Sequence, residues 1–320
     1  MKFIHNSFDN YLRDYDRQNL HPKLSNVFDC FPNDLSNMQN IIMYGPSESY
    51  KYTQFLQSIR KYSASKLKYE KKINIDNNKQ EFFIKISDIH YEIDMSILGC
   101  NARILWNDIF NQIVDIILTK TKKNGIILCK NFHTIHSELL DIFYSYMQKN
   151  INNHYNIIFF LLTDHISFIP DNILNCSKVV SIPKVLSQSN NLIFKNNVFR
   201  NIKLDNRKCI RTIRNNIDNL SKMNITLYKK IISHIINFQK INFLTLRESL
   251  YDLLIYNVDV HSSLWYIIED LIKNNHIKED MLCEINIEVY KFFKLYNNNY
   301  RPIYHLELLI LNIIKQIHHL

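Results

Sequence analysis

The chain has 320 residues and carries 39 lysines and arginines against 30 aspartates and glutamates, which gives a net charge of +9. Its hydrophobic share of 46% is typical of a globular protein with a buried core, and the length has room for about two or three domains. No apolar run approaches the about 18–20 residues of a membrane helix, Met1–Asn6 does not resemble a signal peptide, and the six cysteines form no CxxC pair. We therefore expect a reduced, intracellular protein that is neither secreted nor held in a membrane.

The first half of the chain alternates short apolar runs with helical patterns. Continuous apolar runs of this length are typical of strands buried on both faces. Helices are predicted after Asn101, a candidate N-cap, and over Ser137–Met147. This alternation predicts a mostly parallel sheet covered by helices. The predicted strands are Ile41–Tyr44, Phe82–Ile86, Gly125–Cys129, Ile157–Leu162 and Val179–Ile182.

The second half is predicted to be helical. A polar stretch rich in Ser and Asn follows Pro183 and indicates a linker. Beyond it no strand-like run is found, and Pro302 suits the first turn of the last helix. We expect an α/β domain over 1–184, a linker and helical lid over 185–238, and a helical domain over 239–320. The predicted helices are Ile225–Phe238, Leu244–Tyr256, Ser262–Ile272, Glu284–Tyr296 and Pro302–Ile317.

A degenerate phosphate-binding loop follows the first predicted strand. In the pattern GxxxxGK[ST], glycines let backbone N–H groups surround phosphates, Lys reaches the outer phosphates and Ser or Thr binds magnesium. Gly45 and Lys51 keep this spacing, but Tyr50 replaces the second glycine and Tyr52 follows the lysine. The candidate nucleotide-binding residues of this segment are Gly45, Pro46, Ser47, Lys51 and Thr53. A vestigial turn whose Lys51 is merely solvated is favoured over nucleotide binding.

Two other groups of residues were weighed as sites. Cys129, His133 and His136 combine a thiol with two imidazoles, but no fourth ligand follows at a zinc spacing, and a buried thiol beside two loop histidines is favoured. The excess positive charge is spread along the chain, and candidate DNA-binding residues flank the helix after Asn101: Arg103, Lys120, Lys122 and Lys123. A second basic group comprises Arg207, Lys208, Arg211 and Arg214. For each group taken by itself, a solvated surface is favoured over DNA binding.

The aromatic residues are predicted to serve packing. Phe82-Phe83 and Phe159-Phe160 lie in predicted strand cores, and Trp106 and Trp265 lie at apolar positions of helices.

Three segments together resemble a known family. They are Tyr44–Ser47 with Lys51 and Thr53, then Ile89–Asp94, then Ile169-Pro170 leading to Cys176 and Val179. In order and spacing they resemble the small subunits of the replication factor C clamp loader, most closely the small-subunit-like proteins of large DNA viruses. The resemblance implies an AAA+ (P-loop NTPase-like) α/β domain with a parallel sheet, followed by a helical lid and an all-α collar domain. It also makes Arg211 the match for the sensor arginine of the lid.

The departures from the family concern catalysis. Lys130 and Asn131 stand where the family has the acidic residues that bind magnesium, and Thr163 stands where it has the sensor asparagine. Asn175 replaces the arginine that the family lends to a neighbouring subunit's ATP. We therefore expect a subunit without ATPase activity. No cofactor is expected, and binding of ATP or ADP with Mg²⁺ without turnover is the alternative.

The resemblance implies a non-catalytic small subunit of a DNA sliding-clamp loader, acting in DNA replication in the nucleus or at a cytoplasmic replication site. Its partners would be the other subunits of a hetero-pentamer, the sliding clamp and primer–template DNA, with no membrane involved. Two alternatives stay open. One is a stand-alone DNA-binding or transcription accessory protein with a vestigial AAA+ fold, and the other is an active ATPase that tolerates Tyr50.

Overall fold

The computed structural model describes residues 7–17, 19–46, 49–77, 80–148, 155–183, 218–237, 242–256, 258–296 and 301–318. The chain divides into two compact units, Met1–Val185 and Leu186–Leu320. The linker predicted after Pro183 and the basic residues Arg207, Lys208, Arg211 and Arg214 lie outside the described residues. The predicted boundary between lid and collar stays a prediction.

The described part of the first unit is built on one seven-stranded sheet. Its order is β2-β3-β4-β5-β6-β1-β7. Strands β4, β5, β6, β1 and β7 are parallel, whereas β2 and β3 form an antiparallel hairpin at one edge. The strands are β1 (Asn40–Tyr44), β2 (Lys71–Asn77), β3 (Gln80–Ile86), β4 (His90–Asp94), β5 (Asn124–Lys130), β6 (Asn156–Thr163) and β7 (Ser177–Ser181).

The order of the parallel strands identifies the fold. Counted along the chain, the five parallel strands lie in the order 2-3-4-1-5, so the first strand is placed between the fourth and the fifth. This order is that of a P-loop NTPase-like sheet, to which AAA+ domains belong, and it confirms the predicted α/β fold class with a mostly parallel sheet. Two strands were not predicted, β2 and β4. The predicted strand Phe82–Ile86 exists as β3, but it belongs to the antiparallel hairpin and not to the parallel set.

Helices cover both faces of this sheet. On one face, the aromatic residues Phe8 and Phe28 pack with Phe55 and Phe160 in one buried cluster. On the other face, Trp106 and Phe143 pack with Phe159 in a second cluster. The helices are α1 (Phe8–Arg17), α2 (Pro22–Asp29), α3 (Lys51–Ile59), α4 (Ala102–Leu118), α5 (Ser137–Gln148) and the short α6 (Asp171–Asn175). The predicted helix after Asn101 is confirmed, although the Asn101 side chain makes no capping hydrogen bond.

The described residues of the second unit form five helices around a single core. Leu250, Ile267 and Ile310 are fully buried members of that core. Side chains cap two of the helices, since Asn242 accepts from the Leu244 N–H and Asp259 accepts from the Ser262 N–H. The helices are α7 (Asp218–Ile236), α8 (Phe243–Ile255), α9 (Val260–Lys273), α10 (Glu279–Tyr296) and α11 (Pro302–His318). No helix among the described residues is long and apolar enough to cross a membrane.

Two predictions about aromatic residues were wrong. Trp106 is buried as predicted, but Trp265 is 51% exposed on α9. Phe83 is 66% exposed on β3, because successive side chains of a strand point to opposite faces and its described neighbours Ile84 and Ile86 pack in the core.

The end of β1 tests how tightly this sheet is packed. A Cβ atom at Gly45 would lie 2.0 Å from the backbone oxygen of Ile182, whereas one at Gly125 would meet only the movable tip of Ile117. Gly45→Ala should therefore lower the free energy of unfolding by about 2–3 kcal/mol. Gly125→Ala changes the unfolded chain in the same way, and it should lower the free energy of unfolding clearly less. Chemical denaturation followed by circular dichroism compares the two, and equal losses would contradict the prediction.

Candidate nucleotide site

The degenerate loop lies where an AAA+ domain places its phosphates, between the carboxyl end of β1 and the start of α3. Gly45 has a packing reason to be glycine, since the chain after β7 passes directly over it at Ile182. Tyr50, which replaces the second glycine, holds the left-handed conformation with φ 59°. A residue with a Cβ atom pays about 1 kcal/mol for that conformation. The loop therefore keeps the backbone turn of a phosphate-binding loop, although it lacks the glycine that adopts this conformation without strain.

The Lys51 ammonium is bound within the protein itself. It donates to the carbonyl oxygens of Gly45 at 2.7 Å and Pro46 at 2.8 Å, and it forms an ion pair with Asp164 at 2.8 Å. The side chains of Lys51 and Asp164 are only 11% and 21% exposed. Burial lowers the pKa of Lys51, and Asp164 offsets part of that effect. Asp164 thus supplies the negative charge that a nucleotide phosphate would otherwise bring to this lysine.

A second lysine lies at the position expected for magnesium. Lys130 ends β5, and its ammonium donates to Glu92 Oε2 at 2.6 Å. The Tyr52 hydroxyl donates to Glu92 Oε1 at 2.6 Å, and the Lys130 ammonium lies 3.9 Å from the centre of the Tyr52 ring. Tyr52 takes the sequence place of the Ser or Thr that would bind the metal. The residues present do not fit magnesium, because a cation and an aromatic ring occupy the positions where acceptor oxygens would be needed.

Glu92 is the centre of this network. Burial by itself raises the pKa of Glu92, but His90 and Lys130 together outweigh it and hold the pKa at about 2. His90 Nε2 lies 3.2 Å from Glu92 Oε1, and the other ring nitrogen of His90 is hydrogen-bonded to Ser87. Burial and the neighbouring Glu92 raise the pKa of Tyr52. The carboxylate therefore stays ionised, with three hydrogen-bonding partners around it.

The residue types of a hydrolytic triad are present in Ser87, His90 and Glu92, but a substrate could not reach them. Ser87 is 2% exposed and His90 is fully buried. The rings of Phe8 and Phe55 lie against the His90 ring, with centroids 4.9 and 5.5 Å away. A nucleophile needs a substrate within reach, so this chain of hydrogen bonds serves to satisfy a buried carboxylate.

The ends of β5 and β6 complete the site. The Asn131 amide donates to Asp94 at 3.0 Å, and the Asp164 N–H donates to His133 Nδ1 at 3.3 Å. The Thr163 hydroxyl, at the position of the family's sensor residue, donates to the His165 carbonyl at 2.5 Å. These polar groups are used to fix the loops beside Lys51.

The other predicted site residues are placed as follows. Thr53 lies in the first turn of α3, next to Tyr52 and about 100° around the helix from it. Ser47 and Arg211 lie outside the described residues. Asn175 ends α6, and Cys129 is buried within β5. Among the described residues no group of three or more His, Cys, Asp or Glu side chains is arranged to hold a metal ion.

The four predicted DNA-binding residues are not brought together. Arg103 lies at the start of α4 and Lys120 just beyond its end, which places them about 25 Å apart. Lys120 is part-buried, donates to the Asp88 carbonyl at 2.7 Å and lies over the Tyr91 ring. Lys122 and Lys123 are exposed near it. Their contact with DNA stays a prediction.

Tyr52, Glu92 and Asp164 are the site residues that sequence reasoning missed. Tyr52 carried a signal, since it directly follows Lys51 in the place of the metal-binding hydroxyl. Glu92 and Asp164 carried none, because their charged partners Lys130 and Lys51 lie 38 and 113 residues away along the chain.

Comparisons with known proteins give low similarities. Neither a protein-family model nor a curated protein sequence matches the chain. Among solved structures, it is similar to a Thermotoga maritima RuvB Holliday junction branch migration motor, with 9% identity and a TM-score of 0.29 over 57% of this chain and 47% of that one. It is also similar to C. elegans PCH-2, with 9% identity and a TM-score of 0.34 over 96% and 71% of the two chains.

A third similar structure is a DNA polymerase III gamma subunit-related protein of Thermotoga maritima, with 12% identity and a TM-score of 0.33 over 94% of this chain and 100% of that one. The assignment of the fold rests on the strand order and not on these likenesses.

The ion pair of Lys51 is expected to stabilise the fold. Lys51→Met leaves Asp164 without its cation, so the free energy of unfolding should fall by about 2 kcal/mol, less than for a fully buried pair. The double variant Lys51→Met with Asp164→Asn should lose less free energy of unfolding than the sum of the losses of the two single variants. A double-mutant cycle by urea denaturation measures this coupling, and additive losses would contradict it.

Glu92 is expected to make the first unit sensitive to acid. Its pKa is about 2 in the fold and 4.5 for the free group, so its contribution is present above pH 4.5 and is lost as the pH falls from 4.5 towards 2. The loss should amount to about 3 kcal/mol. Glu92→Gln should flatten the dependence of unfolding free energy on pH in this window more than Glu284→Gln, the same change at an exposed position of α10. Equal slopes for all three proteins would contradict the role given to Glu92.

Proposed function

We propose that the chain is a non-catalytic small subunit of a DNA sliding-clamp loader. In this role it completes a ring of subunits around primer–template DNA, contacts the sliding clamp and leaves ATP hydrolysis to its neighbours. The proposal combines the AAA+ strand order with the resemblance of Tyr44–Ser47, Ile89–Asp94 and the segment around Cys176 to clamp-loader small subunits.

The observation that carries the non-catalytic part is the pair of internal ion pairs in the nucleotide site. Phosphoryl transfer depends on a lysine free to reach phosphate and on a metal held by oxygen ligands. Here Lys51 is paired with Asp164, and Lys130 with Glu92. A nucleotide would have to displace both a carboxylate and two carbonyl oxygens from Lys51.

The second unit offers surfaces for assembly into a ring. On α8, Leu244 and Ile255 are 59% and 71% exposed, and on α11 Leu308 is 55% exposed. Arg247 of α8 forms an ion pair with Glu307 of α11, which joins the two helices near Leu244 and Leu308, and Ile255 lies about 12 Å further along α8. Exposed apolar side chains on neighbouring helices are typical of protein interfaces. A subunit whose contribution is contact rather than chemistry needs such surfaces.

A stand-alone DNA-binding or transcription accessory protein is the second candidate, and Asn175 favours it. A neutral amide cannot neutralise phosphate charge in a neighbouring subunit as an arginine does. In that case the chain would keep the AAA+ fold and bind DNA as a monomer. An active ATPase is the remaining alternative, and it requires turnover that Lys51→Ala abolishes.

Purification of the tagged protein from its native cells at moderate salt tests the proposal. We expect the other clamp-loader subunits in near-equal amounts, identified by mass spectrometry, together with the sliding clamp. The ATPase rate of the recovered complex should be unchanged by Lys51→Ala in this chain. Ile255→Asp should reduce recovery of the partner subunits, whereas the matched variant Ile104→Asp, at a 65% exposed position of α4, should not. Recovery of the chain alone, or with transcription proteins, would reject the clamp-loader role.

A further inference from the structure

One edge of the sheet is locally rich in positive charge, although the basic residues as a whole are spread along the chain. Residues 60–72 contain six lysines and arginines and a single acid, Glu70, within a chain of net charge +9. This segment leads from the end of α3 into β2, which is the outermost strand of the sheet. Five strand spacings separate β2 from β1, so this edge lies about 24 Å from the degenerate loop.

Four of these lysines are exposed, and none of them takes part in an ion pair with another described residue: Lys66, Lys68, Lys71 and Lys72. The remaining cations of the region are engaged. Arg60 pairs with Asp16 at 3.1 Å, and Lys61 donates to the Phe31 carbonyl at 2.8 Å. Glu70 forms an ion pair with Lys85 at 2.9 Å, so it does not neutralise the exposed lysines.

The turn before β2 is held rigidly in shape. The Ser63 hydroxyl donates to the Asp88 carboxylate at 2.7 Å, and the Ser65 N–H donates to the same group at 3.1 Å. Lys66 and Leu67 both have positive φ, 53° and 62°, while the Leu67 side chain is buried. Two successive residues in this region cost about 2 kcal/mol or more. The buried anchor therefore fixes the backbone that carries Lys66 and Lys68 at the surface.

The end of α4 adjoins the same turn. Lys120 donates to the Asp88 carbonyl at 2.7 Å, so the exposed Lys122 and Lys123 extend the positive region.

Exposed aromatic rings accompany these lysines. Tyr69 is 51% exposed and Phe83 is 66% exposed. The register pairs Lys72 with Lys85 and Asn74 with Phe83, which places Lys72 and Phe83 on the same face of the hairpin. Lysines on an edge strand also discourage pairing with other chains. An exposed phenylalanine works against that purpose and needs another explanation.

We propose that this basic edge, formed by Lys66, Lys68, Tyr69, Lys71, Lys72 and Phe83, binds single-stranded nucleic acid. The lysines contact the phosphate backbone, and the rings stack on unpaired bases, which every sequence offers. Charge complementarity favours a polyanion, and the exposed rings favour one with accessible bases over a duplex. The inference is independent of the clamp-loader proposal, since it rests on residues at the far edge of the sheet from the nucleotide site.

Fluorescence anisotropy of the full chain with a labelled oligothymidylate of about 20 nucleotides tests the proposal. Lys71→Ala combined with Lys72→Ala should weaken binding and lower the slope of log Kd against log salt by about 1.4, because each contact to a single-strand phosphate contributes about 0.7. The matched control is Lys229→Ala with Lys230→Ala, an exposed lysine pair on α7 with the same change in charge. It should leave the slope unchanged.

Phe83→Ala should weaken binding by roughly tenfold through the loss of stacking, and Phe83→Tyr should retain it. Phe83 is exposed, so both variants should keep the circular dichroism spectrum of the parent. The proposal is overturned if the oligonucleotide does not bind, if both lysine pairs have the same effect, or if Phe83→Ala is silent. Competition by heparin or a duplex at the same strength as by the single strand would also overturn it, since a surface that responds to charge alone would behave in that way.

Discussion

The negative charge of a carboxylate buried between a helix and a sheet needs positively charged or hydrogen-bonding partners. In the first unit this carboxylate is Glu92. Its side chain is 3% exposed. An unpaired charge in such a place costs several kcal/mol. Three partners from three elements meet it, namely Tyr52 from α3, His90 from β4 and Lys130 from β5. The helix that follows the degenerate loop is thereby fastened to the sheet by hydrogen bonds that involve no nucleotide.

The same principle applies to the charged residues beside the degenerate loop. In a working P-loop protein, phosphate and magnesium supply an anion and a cation at this edge of the sheet. Here both charges come from the chain, since Asp164 faces Lys51 while Lys130 faces Glu92. The domain therefore has a built-in charge balance at the carboxyl ends of its strands. In the non-catalytic role that we propose, the chain acts through contacts made elsewhere on the molecule.

Two surfaces are suited to such contacts, and they differ in chemistry. The second unit exposes apolar side chains of α8 and α11, among them Ile255 and Leu308. The first unit presents lysines and two exposed aromatic rings at the β2 edge. Of these rings, that of Phe83 is more exposed than that of Tyr69. The first kind of surface suits a protein partner and the second a polyanion with exposed bases.

The sequence alone determined the elements with strong local signals. Continuous apolar runs such as Ile157–Leu162 predicted buried strands. The helical spacing of apolar residues, together with Pro302, predicted helices of the second unit. Gly45 and Lys51 marked the loop. Strand β4 escaped prediction because His90, Glu92 and Asp94 interrupt its apolar pattern. Only the tertiary structure decided what these polar residues do. Lys51 meets Asp164 across 113 residues, and Glu92 meets Tyr52 and Lys130 across 40 and 38. Strand order and register create such pairs, as they also decide that Phe83 faces solvent while Ile84 faces the core, and no local pattern contains that information.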